Sequence, residues 1–456
     1  MKNQDRYGCD VTIASNAALD AWNTTLHGFL SHAASTGPSL GTTLELDPQF
    51  ALAHACKGLF SLLLGRRELD ETIHFALKNA EESDHQNPVS ERERHYIRAL
   101  SAWIGGKQSV AINEMERVLE KWPHDPLAMK MSHAIRFMLG DLNGMRTSLE
   151  NVMHVYGGHS AEGYFHGCYA FTLEETGEYA LAEKRGRKAL ELAADDSWGL
   201  HAVSHVFDMT GRAKEGLEWI TGKEAAWEHC NNFRYHVWWH IALMHLDLGN
   251  YDKVLELYDE QIRKDKTDDY RDISNATSVL LRLEFEGIGV GNRWEELAEL
   301  SANRITDNCV AFADLHYMMA LCGTDHHKEQ SASLISNMSG CAETRHHCEF
   351  VNAIKHPGVL AATGLEAYRD HDFKTAYACL SKAWPALQEI GGSHAQRDIF
   401  ERLGIEAAFR SGLTKEAETL MRQRDTERGH QDHYSLSRWA LLEQNPSNSL
   451  ASLGAA

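Results

Sequence analysis

The fold is decided by the stretch AEGYFHGCYAFTLEETGEYALAEKRGRKALEL (161–192) and the two segments that follow it. These are DSWGLHAVSHVFDMTGRAKEGLEWI (196–220) and FRYHVWWHIALMHLDLGNYDKVLELY (233–258). Each segment begins with an apolar and aromatic helix, turns at a glycine (Gly177, Gly211 or Gly249), and continues into a helix with small or aliphatic residues at helical spacing. The glycines are 34 and then 38 residues apart. A period near 34 residues is that of tetratricopeptide repeats. The stretch therefore predicts stacked helix-turn-helix repeats.

The same pattern continues on both sides of this stretch, and no strand-type alternation of useful length is present. We therefore predict an all-α fold, an α-solenoid in which tetratricopeptide-like helix-turn-helix repeats form a right-handed superhelix over 1–456 as a single domain. Its predicted parts are an N-terminal helical segment (1–43), N-terminal repeats (44–160), central histidine-rich repeats (161–260), C-terminal repeats (261–444) and a frayed tail (445–456).

Composition restricts the possible partners. The chain has 65 Asp and Glu against 45 Lys and Arg, and no basic run of the kind that follows a phosphate backbone, so we expect no nucleic-acid partner. The first residues, MKNQDRYGCD, lack an apolar signal core, and apolar bursts such as GLFSLLLG are too short to span a bilayer. Nine cysteines without a CxxC pair argue against a disulfide framework. We expect a soluble cytoplasmic protein with no membrane partner.

The repeat register predicts which side chains line the concave side. With each turn glycine at position fifteen, the inward positions of the first helix are roughly the second, fifth, ninth and twelfth. The residues at or beside these positions in the three central repeats are Phe171 and Glu174, then His201, His205 and Asp208, and then His236, Trp239 and His240. Because first helices of adjacent repeats lie side by side, we expect these groups to face one cavity.

Histidine is unusually frequent in this chain, with 27 residues. Four of these histidines form two pairs at i, i+4 spacing. His201 with His205, and His236 with His240, each place two imidazoles on one helical face, as metal sites and paired acid–base groups require. The alternative is a polar core seam, in which each ring is buried and hydrogen-bonded. The spacing leaves both interpretations open, with a divalent transition metal as the candidate cofactor.

Two later segments add candidate site residues. Asp314 and His316 in FADLHYMM are two residues apart, so at most one is expected to point inward. In GGSHAQRD, Ser393 is a candidate N-cap, His394 begins a helix, and Arg397 offers a bidentate clamp for an anionic group. The alternative for Arg397 is a surface pair with a neighbouring carboxylate.

Several blocks resemble the tetratricopeptide-repeat protein 38 family. They are FHGCYAFTLEETGEYALAEK, HAVSHVFDMTGRAKEG, YHVWWHIALMHLDLGNYD, SNATSVLLRLEFEGIGVGNRWEEL, FADLHYMMAL and GGSHAQRDIF, in that order between residues 165 and 400. The resemblance implies an all-helical repeat fold and a soluble protein. It implies no activity.

Two functional hypotheses follow from the residues. The first is a protein that binds a small molecule or short peptide, with an anionic ligand as one alternative, in a His- and Trp-rich concave pocket. The second is an enzyme that uses the histidines for metal-assisted or acid–base chemistry of hydrolytic or lyase type. GxSxG, P-loop and HExxH motifs are missing from the sequence, so no specific reaction is indicated, and neither is an oligomeric state.

Overall fold

The computed structural model describes residues 3–345 and 347–444, and the predicted frayed tail lies outside them. Within the described residues the chain is almost entirely helical, which confirms the all-α, tetratricopeptide-like solenoid class. The one departure is a small antiparallel pair of strands, β1 (Asn3–Gln4) and β2 (Asp10–Val11).

Among the described residues, the chain up to Leu192 forms ten helices. They are α1 (Asn16–Ser31), α2 (Thr36–Leu46), α3 (Ala51–Leu63), α4 (Asp70–Gln86), α5 (Glu91–Ile104), α6 (Gln108–Lys121), α7 (Pro126–Met138), α8 (Leu142–Val152), α9 (Glu162–Glu175) and α10 (Tyr179–Leu192).

The remaining helices are α11 (Ser197–Met209), α12 (Ala213–Ile220), α13 (Phe233–Asp247), α14 (Tyr251–Leu257), α15 (Tyr270–Phe285), α16 (Arg293–Ala302), α17 (Ala311–Cys322), α18 (Lys328–Thr344), α19 (Glu349–Ala353), α20 (Val359–Arg369), α21 (Phe373–Ala383), α22 (His394–Arg410), α23 (Thr414–Arg428) and α24 (His433–Gln444). Short 3-10 segments at Arg67–Leu69, Met153–Val155, Glu224–Ala226 and Trp384–Ile390, and π turns at Tyr258–Ile262 and Ile354–Gly358, join some of them.

The chain divides into two compact units. Unit 1 contains residues 3–203 with Gly222–Arg234 and His347–Phe350. Unit 2 contains Ser204–Thr221 and, within the described residues, 235–345 and 351–444. The division along the chain therefore falls inside α11, after Val203.

Glycines at the predicted turns have the backbone conformation that the repeat requires. Gly177, Gly211 and Gly249 have φ angles of 83°, 66° and 71°. This left-handed region strains any residue that carries a Cβ, so glycine ends the first helix of each pair and allows the chain to reverse. The three predicted turns are confirmed.

In unit 1, small residues let consecutive helices approach closely. A Cβ on Gly186 of α10 would lie 2.5 Å from Cγ2 of Val203 and 2.8 Å from the backbone oxygen of Gly199. Ala170 of α9 and Ala189 of α10 are also fully buried. Helix pairs thus bury their faces against the next pair in the chain, as repeat proteins do.

Candidate metal centre

Three imidazoles converge in unit 2. His205 from α11 and His236 and His240 from α13 each offer a ring nitrogen, and these nitrogens lie within 4.8 Å of one another. The three residues are 0, 8 and 1 % exposed. Small movements of these rings would bring all three nitrogens to the distance of about 2 Å at which a metal ion binds imidazole. The predicted convergence of these three histidines is therefore present within unit 2.

The rings contact one another directly. The His205 and His240 ring centroids are 4.4 Å apart, and those of His236 and His240 are 4.8 Å apart at an interplanar angle of 76°. His394, the first residue of α22, places its ring 5.7 Å from that of His205 and is only partly buried. His394, a predicted site residue, therefore lies beside His205 in unit 2.

A hydrogen bond determines which nitrogen of His236 is available. Its Nδ1 lies 2.8 Å from Oδ1 of Asn275 on α15. An amide oxygen only accepts, so Nδ1 carries the hydrogen and the lone pair is on Nε2. Metal-binding histidines commonly donate their second ring N–H in this way.

Burial keeps the imidazoles of His236 and His240 in the neutral form. It lowers the pKa of His236 to about 4, although the hydrogen bond with Asn275 opposes the shift. The pKa of His240 is also well below its usual value, because of burial first and then the neighbouring charges, among them that of Arg282. Neutral imidazole is the form that binds a metal ion.

Trp239 forms a wall of the cluster and is 1 % exposed. Its ring stacks on that of His236, with centroids 5.0 Å apart, and Nε1 donates to Oγ of Ser278 at 3.1 Å. The indole is therefore fixed by packing and by one hydrogen bond. It supports the histidines rather than presenting a free face.

Arg282 of α15 belongs to the same neighbourhood and was not predicted. Its guanidinium lies 5.7 Å from the Trp239 ring centroid and donates to Oγ of Ser278 at 2.6 Å and to the backbone oxygen of Ala395 at 2.9 Å. The available signal was an arginine within the otherwise apolar run SVLLRLEF of a predicted helix. A buried charge in such a run requires specific partners.

Two predicted ligand-binding residues have protein partners in unit 2. Asp208 accepts from Nη2 of Arg428 at both its Oδ1 and its backbone oxygen, each at 3.2 Å. Arg397 donates to the backbone oxygen of Gly392. Ser393 is the N-cap of α22, as predicted, and forms a capping box with Gln396.

The remaining unit 2 candidates are buried in α17. His316 shares a 2.7 Å hydrogen bond from Nδ1 to the backbone oxygen of Phe312, and burial lowers its pKa to about 4. Asp314 is 0 % exposed, and burial raises its pKa well above the usual value. His316 therefore has a protein partner, whereas neither carboxyl oxygen of Asp314 has a hydrogen-bond partner among the described residues.

His201 and Glu174 lie in unit 1 and are both buried. The His201 ring packs among aromatic rings, 5.5 Å from Phe171, 5.0 Å from Trp198 and 5.1 Å from Phe233 between centroids. His201 precedes His205 by one turn of α11. Trp198 and Phe233 are partly exposed, so this aromatic group reaches the surface of the unit.

Two cavities show how much space lies near the candidate residues. A cavity of about 20 Å³ lies one helical turn beyond the histidines and is lined by Asp208, Leu243 and Arg282 among others. That volume holds about one water molecule, whereas small-molecule pockets are on the order of 300 Å³ or more. A larger cavity of 560 Å³ in unit 1, lined by α4, α5 and α6, contains none of the predicted site residues.

Comparisons with known proteins give distant likenesses. No family model matches this chain. Among solved structures it is similar to the human IFIT1 dimer with PPP-AAAA, with a TM-score of 0.41 and 14% identity over 98% of both chains. It is also similar to yeast Tom70, with a TM-score of 0.33 and 13% identity over 93% of this chain and 87% of the other.

Among the described helices, none combines the length and the apolar character needed to cross a bilayer.

Proposed function

We propose that this protein is a helical-repeat protein that binds one divalent transition metal ion through His205, His236 and His240. The observation that carries the proposal is the convergence of their ring nitrogens within 4.8 Å in unit 2. Three neutral imidazoles are a known ligand set for zinc, and imidazole also suits copper, iron and nickel.

The polar-seam alternative makes a different prediction about the same rings. A seam needs a protein acceptor or donor for each ring nitrogen, whereas a metal site needs lone pairs directed at one point. At His236 the hydrogen bond with Asn275 puts the hydrogen on Nδ1 and the lone pair on Nε2. The metal proposal therefore also explains why Asn275 lies behind this ring.

Zinc titration by calorimetry, combined with elemental analysis of the loaded protein, tests the proposal. We expect about one equivalent of zinc in the wild-type protein and loss of binding in His240→Ala. The matched control is His245→Ala on the same helix, because His245 is only partly buried and contacts Asn250 at the surface. Less than a tenth of an equivalent after reconstitution, or zinc retained by His240→Ala, would contradict the proposal.

An enzymatic role is an extension of the same site. A metal with three protein ligands has an open position for water, and zinc-bound water ionises near neutral pH. Metal-assisted hydrolysis is therefore favoured over acid–base catalysis by the histidines without a metal. The reason is that the buried imidazoles of His236 and His240 resist protonation. Hydrolysis of 4-nitrophenyl acetate by zinc-loaded protein, absent from His240→Ala, is the expected result. Equal rates in both proteins would exclude it.

A binding site for an organic ligand is the second candidate. The observation that favours it is the partly exposed aromatic group of unit 1, in which the Trp198 ring lies 4.7 Å from Phe171 and 5.4 Å from Phe233. Stacked aromatic rings hold planar or apolar groups. Titration with indole should saturate the wild-type protein and fail with Trp198→Ala. Equal binding by both proteins would place the ligand elsewhere.

The cytoplasmic location, the lack of a nucleic-acid partner and the relation to the tetratricopeptide-repeat protein 38 family are retained as parts of this proposal.

A further inference from the structure

Two polar groups at the aromatic group of unit 1 have no hydrogen-bond partner among the described residues. His133 of α7 is 4 % exposed, and both of its ring nitrogens lack a partner. Nε1 of Trp198, at the start of α11, is also buried and lacks a partner. Buried polar atoms are nearly always hydrogen-bonded, and leaving them unpaired destabilises a protein. The two side chains therefore indicate a bound group that supplies the missing partners.

The two side chains are neighbours. The ring centroids of His133 and Trp198 lie 5.9 Å apart at an interplanar angle of 85°. Phe137, one turn after His133 on α7, lies 6.2 Å from Trp198 between ring centroids. Phe137 and Trp198 are both partly exposed, so one ring separates the buried imidazole from the surface of unit 1. A ligand that packs between these aromatic rings therefore reaches both unpartnered groups.

The hydrogen-bonding capacity of this pair defines the complementary ligand. Burial and the nearby Lys130 charge lower the pKa of His133 to about 3, so at neutral pH its ring has one N–H and one lone pair. The indole of Trp198 has one N–H, which only donates. The complementary ligand offers a donor to the imidazole lone pair and an acceptor to the indole N–H. An N–H and a C=O on adjacent atoms of one planar ring provide both.

A carboxylate matches the pair less well than a neutral ring does. An ionised carboxylate only accepts, so it has no donor for the imidazole lone pair. The cation beside His133 is Lys130, whose Nζ donates to the backbone oxygen of Leu30. The negative charges of Asp195 and Asp196 act on Lys130, so its charge is opposed within the protein. No anionic ligand is needed to balance it.

We propose that the aromatic group of unit 1 binds a neutral planar lactam, a conjugated ring that carries C=O next to N–H. The ring would pack against Phe137, the lactam N–H would donate to His133, and the carbonyl would accept from Nε1 of Trp198. This inference rests on the organic-ligand site proposed above as the second candidate function, and it names the class of ligand that the site takes.

2-Quinolinone is the probe. Its matched control is N-methyl-2-quinolinone, which keeps the ring and the carbonyl but lacks the N–H. Each compound is titrated into the wild-type protein by calorimetry, with indole as a ligand that has no acceptor and quinoline-2-carboxylate as the anionic comparison. We expect 2-quinolinone to bind about tenfold more tightly than each of the other three, because one buried hydrogen bond contributes about that factor.

Substitutions separate the two hydrogen bonds. His133→Phe keeps an aromatic ring but removes the acceptor, so it should bind 2-quinolinone and its N-methyl derivative equally. Trp198→Phe keeps a ring but removes the Nε1 donor, so it should weaken the binding of both quinolinones by the same factor of about ten. Trp122→Phe is the control and should behave as wild type, because Trp122 is a partly exposed residue of unit 1 that contacts Lys121.

The outcomes are distinguishable. Equal affinities of the wild-type protein for 2-quinolinone, its N-methyl derivative and indole overturn the lactam inference and leave the aromatic site intact. Tighter binding of quinoline-2-carboxylate than of 2-quinolinone also overturns it. No saturable binding of any of the four compounds overturns the organic-ligand site and this inference together. If His133→Phe does not fold, the comparison of the two quinolinones on the wild-type protein decides.

Discussion

His236 donates its Nδ1 hydrogen to Oδ1 of Asn275, 39 residues further along the chain, at 2.8 Å. The bond joins a residue of the repeat's inward face to a residue of the next repeat's first helix. It fixes both the rotation of the imidazole and its tautomer, so Nε2 retains the lone pair. Under the proposed function, this is the relationship of a metal ligand to its supporting acceptor.

Asn275→Leu should weaken zinc binding by about tenfold to a hundredfold, the usual effect of removing a supporting partner. The leucine has similar volume but accepts no hydrogen bond, so His236 loses its fixed tautomer. Calorimetric zinc titration measures the change. Ser274→Ala on the same helix is the control, because the Ser274 hydroxyl only donates to the backbone oxygen of Tyr270. A zinc affinity unchanged by Asn275→Leu would show that the bond does not support a ligand.

The elements of the fold could be predicted because their signals are local. Apolar periodicity gives the helices, and the three turn glycines have the expected positive φ angles. Two histidines four residues apart necessarily share a helical face, so the pairing of His236 with His240 follows from spacing alone. Side-by-side packing of first helices then brings in His205 of the preceding repeat.

The partners from distant segments could not be predicted. Asp208 binds Arg428, 220 residues away, and Arg282 binds the backbone of Ala395, 113 residues away. Such pairings depend on the accumulated effect of many small rotations between successive repeats. The repeat pattern in the sequence does not specify these rotations. This is why Asp208 was predicted as a ligand and why Arg282 was missed.

Protonation of His133, a buried histidine of α7, should make the free energy of unfolding of unit 1 depend on pH. The His133 ring nitrogens have no hydrogen-bond partner among the described residues, and burial with the nearby Lys130 charge lowers the pKa to about 3 from 6.5. Between these values the unfolded chain binds the extra proton, so the free energy of unfolding falls as the pH drops from 6.5 to 3. A shift of this size corresponds to about 5 kcal/mol.

His133→Phe should remove this part of the pH dependence and raise the melting temperature at pH 5. A phenyl ring fits beside Phe171 and Trp198, which the imidazole already contacts edge-on. Thermal melts of both proteins at pH 7.5 and pH 5 provide the comparison. A variant that melts lower than wild type at both values would mean that the imidazole has a polar role in unit 1.

Asp398→Asn should destabilise unit 2 by about 3–5 kcal/mol, the cost of leaving buried charges unpaired. The Asp398 carboxylate accepts from Arg402 at 2.7 Å and from Arg424 at 2.6 Å, and all three residues are buried. Burial alone would raise the pKa of Asp398, but the two guanidinium charges outweigh it and hold the pKa well below the usual value. An amide cannot balance those charges.

Chemical denaturation and hydrogen exchange at α23 and α24 measure the loss. Asp370→Asn is the control, because Asp370 pairs with Lys328 and Arg369 at a partly exposed position, where the expected change is below about 1 kcal/mol. If both substitutions cost equally little, the buried arginine network contributes nothing to stability.

Alanine at two helical glycines should have opposite effects on stability. Gly340 of α18 is exposed, and a Cβ there meets nothing within 4 Å. Gly340→Ala should therefore stabilise the protein by about 1 kcal/mol through helix propensity. Gly186→Ala gains the same propensity, but its Cβ would lie 2.8 Å from the backbone oxygen of Gly199, which cannot rotate away. Overpacking costs about 1–3 kcal/mol, so a net destabilisation is expected. Denaturant titration of the two variants against wild type decides the sign, and stabilisation by Gly186→Ala would show that α10 and α11 have room to separate.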